Sequence, residues 1–458
     1  MPNPVPSNLL TTLRSLSRSD AKPIRLAEAR PSRSLDRTHQ LREAALLVFC
    51  EPLPAECQRL WHLTQKEWKD LLYWLDTSGL ALYFFDRIAE HGKCEMFPPS
   101  VLARLQQNVE DNTERMNSML AELTAVHLEF QSAGLSYALL KGFSLWPISV
   151  PKPQLRSQLD LDFLIAEQSV HRARKILEDR GYHLHAISGR SWEFKANENH
   201  AGSLADLYKV TPHRTLELHV ETSSVGQPSL LAGSPRLNLQ GVDVPVLSSA
   251  DLFLGQGLHL YKHVASEFFR VAHLVEFRRH VLARYSDAGF WKELRTLAEA
   301  DARASISLGV VILLISEVMG CFAPEALTCW TVDRLPAAVR LWVSTYGLRA
   351  VLASFPGTKL YLLLQKELAA QGLPGKRSLQ EQFVPRRLPP AIARASMEES
   401  LSMRIRRHRK YCQYVLFRLR FHAMENIRYI RESSRWRQHM DTLEGSGPTQ
   451  GKANVSRE

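Results

Sequence analysis

The residues from about 134 to 247 differ in pattern from the chain on either side, and this break constrains the fold most. Short runs with strand character recur within it, at about 136–140, 158–166, 182–187, 192–195, 203–210 and 215–221. The run from Leu216 to Glu221 alternates apolar and polar residues at every position, as a strand with one buried face does. A helical run over 167–180 separates the strands and ends at Gly181, a favourable C-cap. The pattern predicts an α+β protein built around a small mixed α/β sheet.

Helical periodicity dominates the flanks of this sheet segment. Leu60, Leu63 and Trp68 recur at helical spacing before it, and a helix capped by Ser248 or Ser249 is expected directly after it. The expected segments are a disordered basic tail (1–38), an N-terminal helical region (39–133), the sheet domain (134–247), a helical domain (248–371), a Pro/Arg-rich linker (372–395), a basic amphipathic helical segment (396–440) and a disordered tail (441–458).

Composition excludes several classes of protein. No run of about 18 apolar residues exists, so we do not expect a transmembrane helix. The six cysteines form no C-x-x-C pair, which argues against a zinc ribbon or a disulfide scaffold and favours a reducing compartment, the cytoplasm. Neither a Walker-type phosphate loop nor a dinucleotide-binding glycine motif occurs. The net charge of +11 suits a polyanionic partner without identifying it.

Asp160 and Asp162 are the most specific chemical feature. Two residues apart on a strand, they point to the same face, where two like charges are costly unless something positive neutralises them. A divalent cation does this, and oxygen ligands suit magnesium. The alternative is a pair of solvated aspartates on an exposed sheet face.

The surrounding motifs favour the metal-binding alternative. Lys141 and Gly142 stand at a strand-to-helix junction, where a glycine lets a phosphate approach the backbone and a lysine adds a positive charge. Glu217 and His219 lie on one face of the alternating strand, so Glu217 supplies a third carboxylate on a neighbouring strand.

This arrangement resembles the uncharacterised nucleotidyltransferase family of the polymerase-β-like nucleotidyltransferase superfamily. The matching features, in chain order, are L-L-K-G at 139–142, Arg156 shortly before the paired aspartates, the helix ending in Gly181-Tyr182, and E-L-H at 217–219. The resemblance covers roughly 40–280 and is strongest over 137–221. It implies that 134–247 is a nucleotidyltransferase-like catalytic domain.

The resemblance also implies roles for individual residues. Asp160 and Asp162 match the paired aspartates that hold Mg²⁺ (or Mn²⁺), and Glu217 matches the third acidic position, which helps to activate the attacking hydroxyl. Gly142 matches the glycine of the phosphate-binding turn, although Lys-Gly replaces the usual Gly-Ser, so the missing hydroxyl would have to come from Ser144.

The implied reaction moves an NMP group from an NTP, such as ATP, to a hydroxyl of a small molecule, a protein side chain or an RNA end, releasing pyrophosphate. Two metal ions would clamp the displacement, while Lys141 and Arg156 neutralise the leaving group. Because the phosphate turn departs from the usual pattern, the alternative is an inactive protein of this fold that binds nucleotide or RNA.

Histidines and the basic C-terminal segment complete the candidates. His219 is expected near the site. His259 and His263 lie one helical turn apart and are expected to contact substrate; the less favoured alternative is that they ligate zinc with an unspecified third ligand.

The basic C-terminal segment, residues 401–440, holds ten Arg and one Lys against two Glu beside an apolar stripe. This segment suits RNA, an anionic membrane surface, or simple packing with a solvated basic face.

Overall fold

A computed structural model of the protein describes residues 36–197, 206–212, 214–221, 229–267, 269–373, 383 and 401–445. Fourteen α-helices are formed in these ranges. They are α1 (Arg37–Leu47), α2 (Gln65–Ser78), α3 (Ala81–Glu90), α4 (Pro99–Ser132), α5 (Val170–Asp179), α6 (Ser249–Val264), α7 (Ala272–Ala283), α8 (Ala288–Glu299), α9 (Ala302–Met319), α10 (Glu325–Thr328), α11 (Ala337–Trp342), α12 (Leu348–Val351), α13 (Tyr361–Ala370) and α14 (Leu401–Gly445).

Five strands form a mixed sheet between α4 and α6, and two more form a separate hairpin. The strands are β1 (Tyr137–Leu140), β2 (Leu161–Ala166), β3 (His183–Ser188), β4 (Ser191–Ala196), β5 (Arg214–Glu221), β6 (Arg236–Leu239) and β7 (Val242–Pro245). The sheet order is β1-β2-β5-β4-β3, and only the β2–β5 pair is parallel. The expected α+β class, with a small mixed sheet between helical regions, is confirmed.

Alternation along the strands gives the sheet two different faces. Leu161, Phe163 and Ile165 of β2 pack with Leu216 and Leu218 of β5 in one large core. The long helix α4 and the short helix α5 cover this face, since Leu123, Phe130, Ala173 and Leu177 belong to the same core. Asp162 and Glu217 alternate with these residues and therefore lie on the opposite face.

The helix that follows the sheet begins where its capping residue predicts. The Ser248 hydroxyl accepts a hydrogen bond from the Asp251 amide, which satisfies one of the free donors at the start of α6. This start positions His259 and His263 on the helix beside the polar face of the sheet.

Two secondary-structure expectations are wrong where the structure describes them. Residues 206–210, expected to end a strand over 203–210, form a turn of 3₁₀ helix and bends, and 203–205 lie outside the described residues. The periodicity of 335–369 predicts helix over that range, but the structure interrupts it between α12 and α13, where Pro356 and Gly357 break the helical hydrogen-bond pattern. Most of 1–38, 372–395 and 441–458 also lies outside the described residues.

Within the described ranges, none of the helices combines the length and apolar character needed to cross a membrane.

Phe163 tests how far stability depends on the sheet core. Its ring is fully buried and lies 5.6 Å from the ring of Phe130 and 6.1 Å from that of Tyr137, between centroids. We expect Phe163→Ala to lower the free energy of unfolding by about 3–5 kcal/mol, measured by chemical denaturation, because the cavity cannot fully collapse. Ile187→Ala on β3, where the side chain is 54% exposed, should change it by less than about 0.5 kcal/mol. Equal losses of unfolding free energy in the two variants would contradict the conclusion that Phe163 lies in the stabilising core.

Candidate functional site

The parallel register of β2 and β5 brings the acidic residues of both strands together. Asp162 is the direct Cα partner of Glu217, and His219 lies two residues further along the same face of β5. The His219 Nε2 lies 2.9 Å from Asp162 Oδ1 and 3.3 Å from Glu217 Oε2, so the imidazole bridges the two carboxylates.

The end of β1 adds a positive charge to this cluster. Leu140 is paired with Asp162, and the next residue, Lys141, places its Nζ 2.9 Å from Asp162 Oδ1. Lys141 has φ of 49°, a left-handed conformation that is strained for a residue with a side chain and that recurs at functional sites.

Gly142 is required by the turn that follows. It also has a positive φ, 47°, and a Cβ at this position would lie 2.3 Å from the Gln158 amide nitrogen. Gln158 in turn donates a hydrogen bond to the carbonyl oxygen of Asp160, at 2.7 Å. The Lys141–Gly142 turn and the residue before β2 are therefore held against each other.

The charges of the cluster shift one another's protonation. Burial alone would raise the pKa of Asp162, but hydrogen bonds from His219 and the charge of Lys141 hold that pKa below its usual value. The hydrogen bond from His219 also lowers the pKa of Glu217. Burial works against the charged imidazole, yet its bonds to both carboxylates raise the pKa of His219. The bonded groups thus favour ionised carboxylates and a protonated histidine.

Asp160 is the exception in this cluster. It precedes β2 by one residue and is half-buried, and its carboxylate has no hydrogen bond or ion pair within the described residues, although the charges of Lys141 and Arg156 act on it. Burial, followed by the charge of Asp162, raises its pKa to about 6. A carboxylate in this state gains most from a nearby cation.

The donor set fits a divalent cation. Asp162 and Glu217 each offer a carboxylate oxygen and His219 a ring nitrogen, and these atoms lie within 4.8 Å of one another; the imidazole would have to release its Nε2 proton before that nitrogen could bind a metal. Two carboxylates and one imidazole are ligands for Mn²⁺, whereas the carboxylate oxygens alone suit Mg²⁺. Asp160 is not part of this group of three, although its charge acts on the same cluster.

Arg156 and Ser144 are held by neighbouring groups. The Arg156 Nε donates to Glu276 Oε1 at 3.1 Å, and the Tyr83 hydroxyl donates to the same oxygen at 2.9 Å. The buried Ser144 hydroxyl donates to the Lys141 carbonyl oxygen at 2.8 Å, which braces the turn. Both lie next to the acidic cluster, and their roles in phosphate binding stay predictions.

A cavity of about 120 Å³ opens beside the cluster, between the end of β1 and helices α6 and α7. Its apolar lining includes Leu140, Leu145 and Leu252. Its polar lining comes from Lys141, Arg156, Asp251, Gln256, His259, His273 and Glu276. The cavity therefore reaches from the lysine of the acidic cluster to the histidines of α6 and α7.

The expected histidines of α6 lie on this side of the molecule. His259 lines the cavity, and its Nε2 is 3.1 Å from the Nε2 of His263. Burial, with the positive charges of its neighbours, lowers the pKa of His259 to about 3, so its imidazole is neutral.

Sequence reasoning missed the contribution of α7. His273, Glu276 and His280 are buried, although the helix is otherwise largely apolar on its inner side. Their spacing of three and four residues marks one helical face, and this polar stripe within an apolar pattern was the available signal. Gln158 carries no such signal, because its contact with Gly142 depends on the tertiary structure.

One family model matches more than half of the chain. The model of a family described as uncharacterised nucleotidyltransferase matches residues 64–320. A solved structure, the crystal structure of an antigenic nucleotidyltransferase-like protein from Paracoccidioides brasiliensis, is 15% identical, and the match covers 43% of this chain and 93% of that one with a TM-score of 0.28. No curated protein matches the chain significantly.

The raised pKa of Asp160 predicts how stability depends on pH. Its pKa is about 6 when folded against an ordinary value of 3.8. The folded protein therefore binds this proton more tightly, and ionisation costs stability progressively as pH rises through that window. We expect Asp160→Asn, without divalent cations, to raise the free energy of unfolding on the order of 1–3 kcal/mol at pH 8, with a much smaller gain at pH 4.5.

The control for this experiment is Asp70→Asn, at an exposed position on α2. It should leave thermal and chemical denaturation unchanged at both pH values. A gain from Asp160→Asn that is independent of pH would show that ionisation of Asp160 is not strained in the folded protein.

Proposed function

Because the chain belongs to the uncharacterised nucleotidyltransferase family, whose model spans more than half of its length, we propose that it transfers a nucleoside monophosphate from a nucleoside triphosphate to a hydroxyl acceptor. The observation that carries the proposal is the convergence of Asp162, Glu217, Lys141 and His219 on one face of the sheet, with Asp160 two residues before Asp162 and under the influence of its charge. Such a set combines a cation site, a proton acceptor and a phosphate-binding cation.

Asp162 and Glu217 would hold Mg²⁺ or Mn²⁺, with deprotonated His219 as an additional ligand for Mn²⁺. We propose Asp160 as a further ligand, because it lies two residues before Asp162 and its charge acts on the same cluster. When bound, the cation would stabilise negative charge on the phosphate oxygens and lower the pKa of the acceptor hydroxyl.

Glu217 is suited to the role of proton acceptor. Its lowered pKa keeps it ionised at neutral pH, and it is only half-buried. The acceptor oxygen would form a bond to the α-phosphorus as Glu217 takes its proton, and the bond from that phosphorus to the bridging oxygen would break. Pyrophosphate leaves with the electron pair, so atoms and charges balance.

Lys141 and the Gly142 turn would bind the triphosphate. The Lys141 side chain is 36% exposed, and its ammonium would neutralise charge on the departing pyrophosphate. Gly142 keeps the positive φ of this turn against Gln158, Ser144 braces the same turn, and Arg156 lines the adjacent cavity. His259 and His263 would face the acceptor, which is a small molecule, a protein side chain or an RNA end, and the protein would act in the cytoplasm.

Thermal denaturation with ligands tests this function directly. We expect ATP, GTP, CTP or UTP, supplied with Mg²⁺, to raise the melting temperature of the full chain, because a ligand that binds only the folded state stabilises it. Asp160→Asn/Asp162→Asn should abolish the shift, and Asp70→Asn should retain it. Lys141→Met should weaken nucleotide binding by about tenfold, equivalent to roughly 1.4 kcal/mol.

Turnover distinguishes an enzyme from a binding protein. Pyrophosphate release from the preferred NTP, in the presence of candidate acceptors, should be lost in Glu217→Gln while nucleotide binding persists. A nucleotide-dependent shift without pyrophosphate release from any acceptor would favour the alternative, an inactive nucleotide-binding protein of this fold. No shift with any NTP would contradict nucleotidyl transfer.

We further propose that α14 contacts an anionic membrane surface. Leu416, Leu419, Ile427 and Ile430 are 55–65% exposed, and their spacing places them on one stripe of the helix. The opposite side packs onto the rest of the protein through Phe421 and Trp436, which are buried.

Lipid fits this surface better than RNA or a second copy. The outward stripe is aliphatic, whereas single-stranded RNA is bound by exposed aromatic rings; the exposed rings of α14, Tyr414 and Phe417, lie off this stripe. Exposed arginines such as Arg420 and Arg431 flank the stripe and would repel the same helix of a second copy while attracting anionic headgroups.

Vesicle co-sedimentation tests the membrane surface. The full chain should bind phosphatidylcholine vesicles that contain phosphatidylserine and should not bind phosphatidylcholine alone. Leu416→Gln/Leu419→Gln/Ile427→Gln/Ile430→Gln should reduce binding at least tenfold, while Ile187→Gln, equally exposed on β3, should not. Failure to bind anionic vesicles, or RNA binding that the quadruple variant loses, would overturn the assignment.

A further inference from the structure

We propose that His259, His263 and His273 form a second metal site, specific for a transition-metal dication of the zinc class. Its ligands are distinct from those of the acidic cluster, and metal binding here does not require nucleotidyl transfer; if both occur, His259 and His263 would reach the acceptor through the metal rather than directly. Two helices build it: His259 and His263 lie one turn apart on α6, and His273 is the second residue of α7.

The geometry of the three side chains supports metal binding. Each offers a ring nitrogen, and these atoms lie within 4.8 Å of one another. The Nε2 atoms of His259 and His263 are 3.1 Å apart, close to the roughly 3.3 Å that separates two nitrogens on a tetrahedral Zn²⁺ with bonds of about 2.05 Å. Small rotations of the side chains would complete the arrangement.

Sequence spacing leaves the third ligand unspecified. Glu267 follows His263 by one turn, but its Oε2 accepts an ion-pair contact from Arg418 of α14 at 3.0 Å. His273 takes the third position because α7 packs beside α6 and turns this residue inward, where it is 7% exposed.

The charge of the surroundings selects the type of metal. Lys141 and Lys262 act on His259, and Arg156 and Arg270 act on His273. Their repulsion acts on any dication, so only a metal with strong bonds to the ligands can bind. Imidazole nitrogens favour Zn²⁺, Cu²⁺ or Ni²⁺, whereas Mg²⁺ prefers oxygen ligands.

The coordination would remain open on one side. His259 and His273 both line the cavity that also contains Lys141 and Glu276. A metal held by three histidines there keeps its fourth position for water or for an oxygen ligand that enters the cavity, as in zinc sites with three protein ligands.

Packing alone is the competing explanation for the cluster. The ring centroids lie 4.7 Å (His259–His263), 5.3 Å (His259–His273) and 5.1 Å (His263–His273) apart, distances that stacked or edge-on imidazoles also adopt. A measurement of metal binding is therefore needed to distinguish a metal site from simple packing of the three imidazoles.

Cobalt spectroscopy on the chelator-treated full chain tests the site. Co²⁺ in excess Mg²⁺ should produce the visible absorption bands of a tetrahedral or five-coordinate nitrogen site, and Zn²⁺ should abolish them. Asp160→Asn/Asp162→Asn/Glu217→Gln should retain these bands, because the acidic cluster does not contribute. His263→Ala should weaken Co²⁺ affinity at least tenfold.

Two controls keep the test decisive. His62→Ala, at an exposed position outside the cluster, should leave affinity unchanged, and His263→Gln with circular dichroism should show that loss of binding is not loss of folding. Bands that persist in folded His263→Ala or His263→Gln, or the absence of any bands in the parent protein, would overturn the site. Loss of the bands only in the acidic-cluster variant would do the same and would assign the metal to Asp162, Glu217 and His219.

Discussion

The parallel pairing of β2 with β5 is the constraint on which the rest of the structure depends. It places Asp162 beside Glu217 and, two residues on, brings His219 within hydrogen-bond distance of both. A slip of one residue would turn these side chains into the core and Leu161 and Leu216 out of it. Since the apolar set packs against α4 and α5, the energy that specifies the core also specifies the polar face.

The carboxylates on the polar face differ in how well positive groups stabilise their charges. Lys141 and His219 both bind Asp162, and His219 also reaches Glu217, so these two carboxylates are stabilised as anions. Asp160 forms no bond within this network, and burial together with the negative charge of Asp162 raises its pKa. Hydrogen bonding therefore lowers the pKa of two of these carboxyl groups, whereas burial and like charge raise the pKa of the third.

Local patterns revealed part of this arrangement in advance. Alternation along 216–221 predicted a strand with Glu217 and His219 on one face, and the family resemblance predicted from 139–142, Arg156 and 217–219 is confirmed. The partner of each strand is set by tertiary packing. For the same reason, the contact of Gln158 with Gly142 and the inward position of His273 could not be inferred from spacing.

The difference between Asp160 and Asp162 bears on what a cation would gain at this site. Asp162 is already paired with Lys141 and His219, so a cation near it must compete with two positive partners. Asp160 offers no such competition among the described residues, and its ionisation is strained without a counter-charge. A cation between the two would relieve that strain while it weakens the Lys141 ion pair, and this frees the lysine for another anion. The same residues that make ionisation costly without a cation would therefore couple the binding of a cation to the binding of an anion.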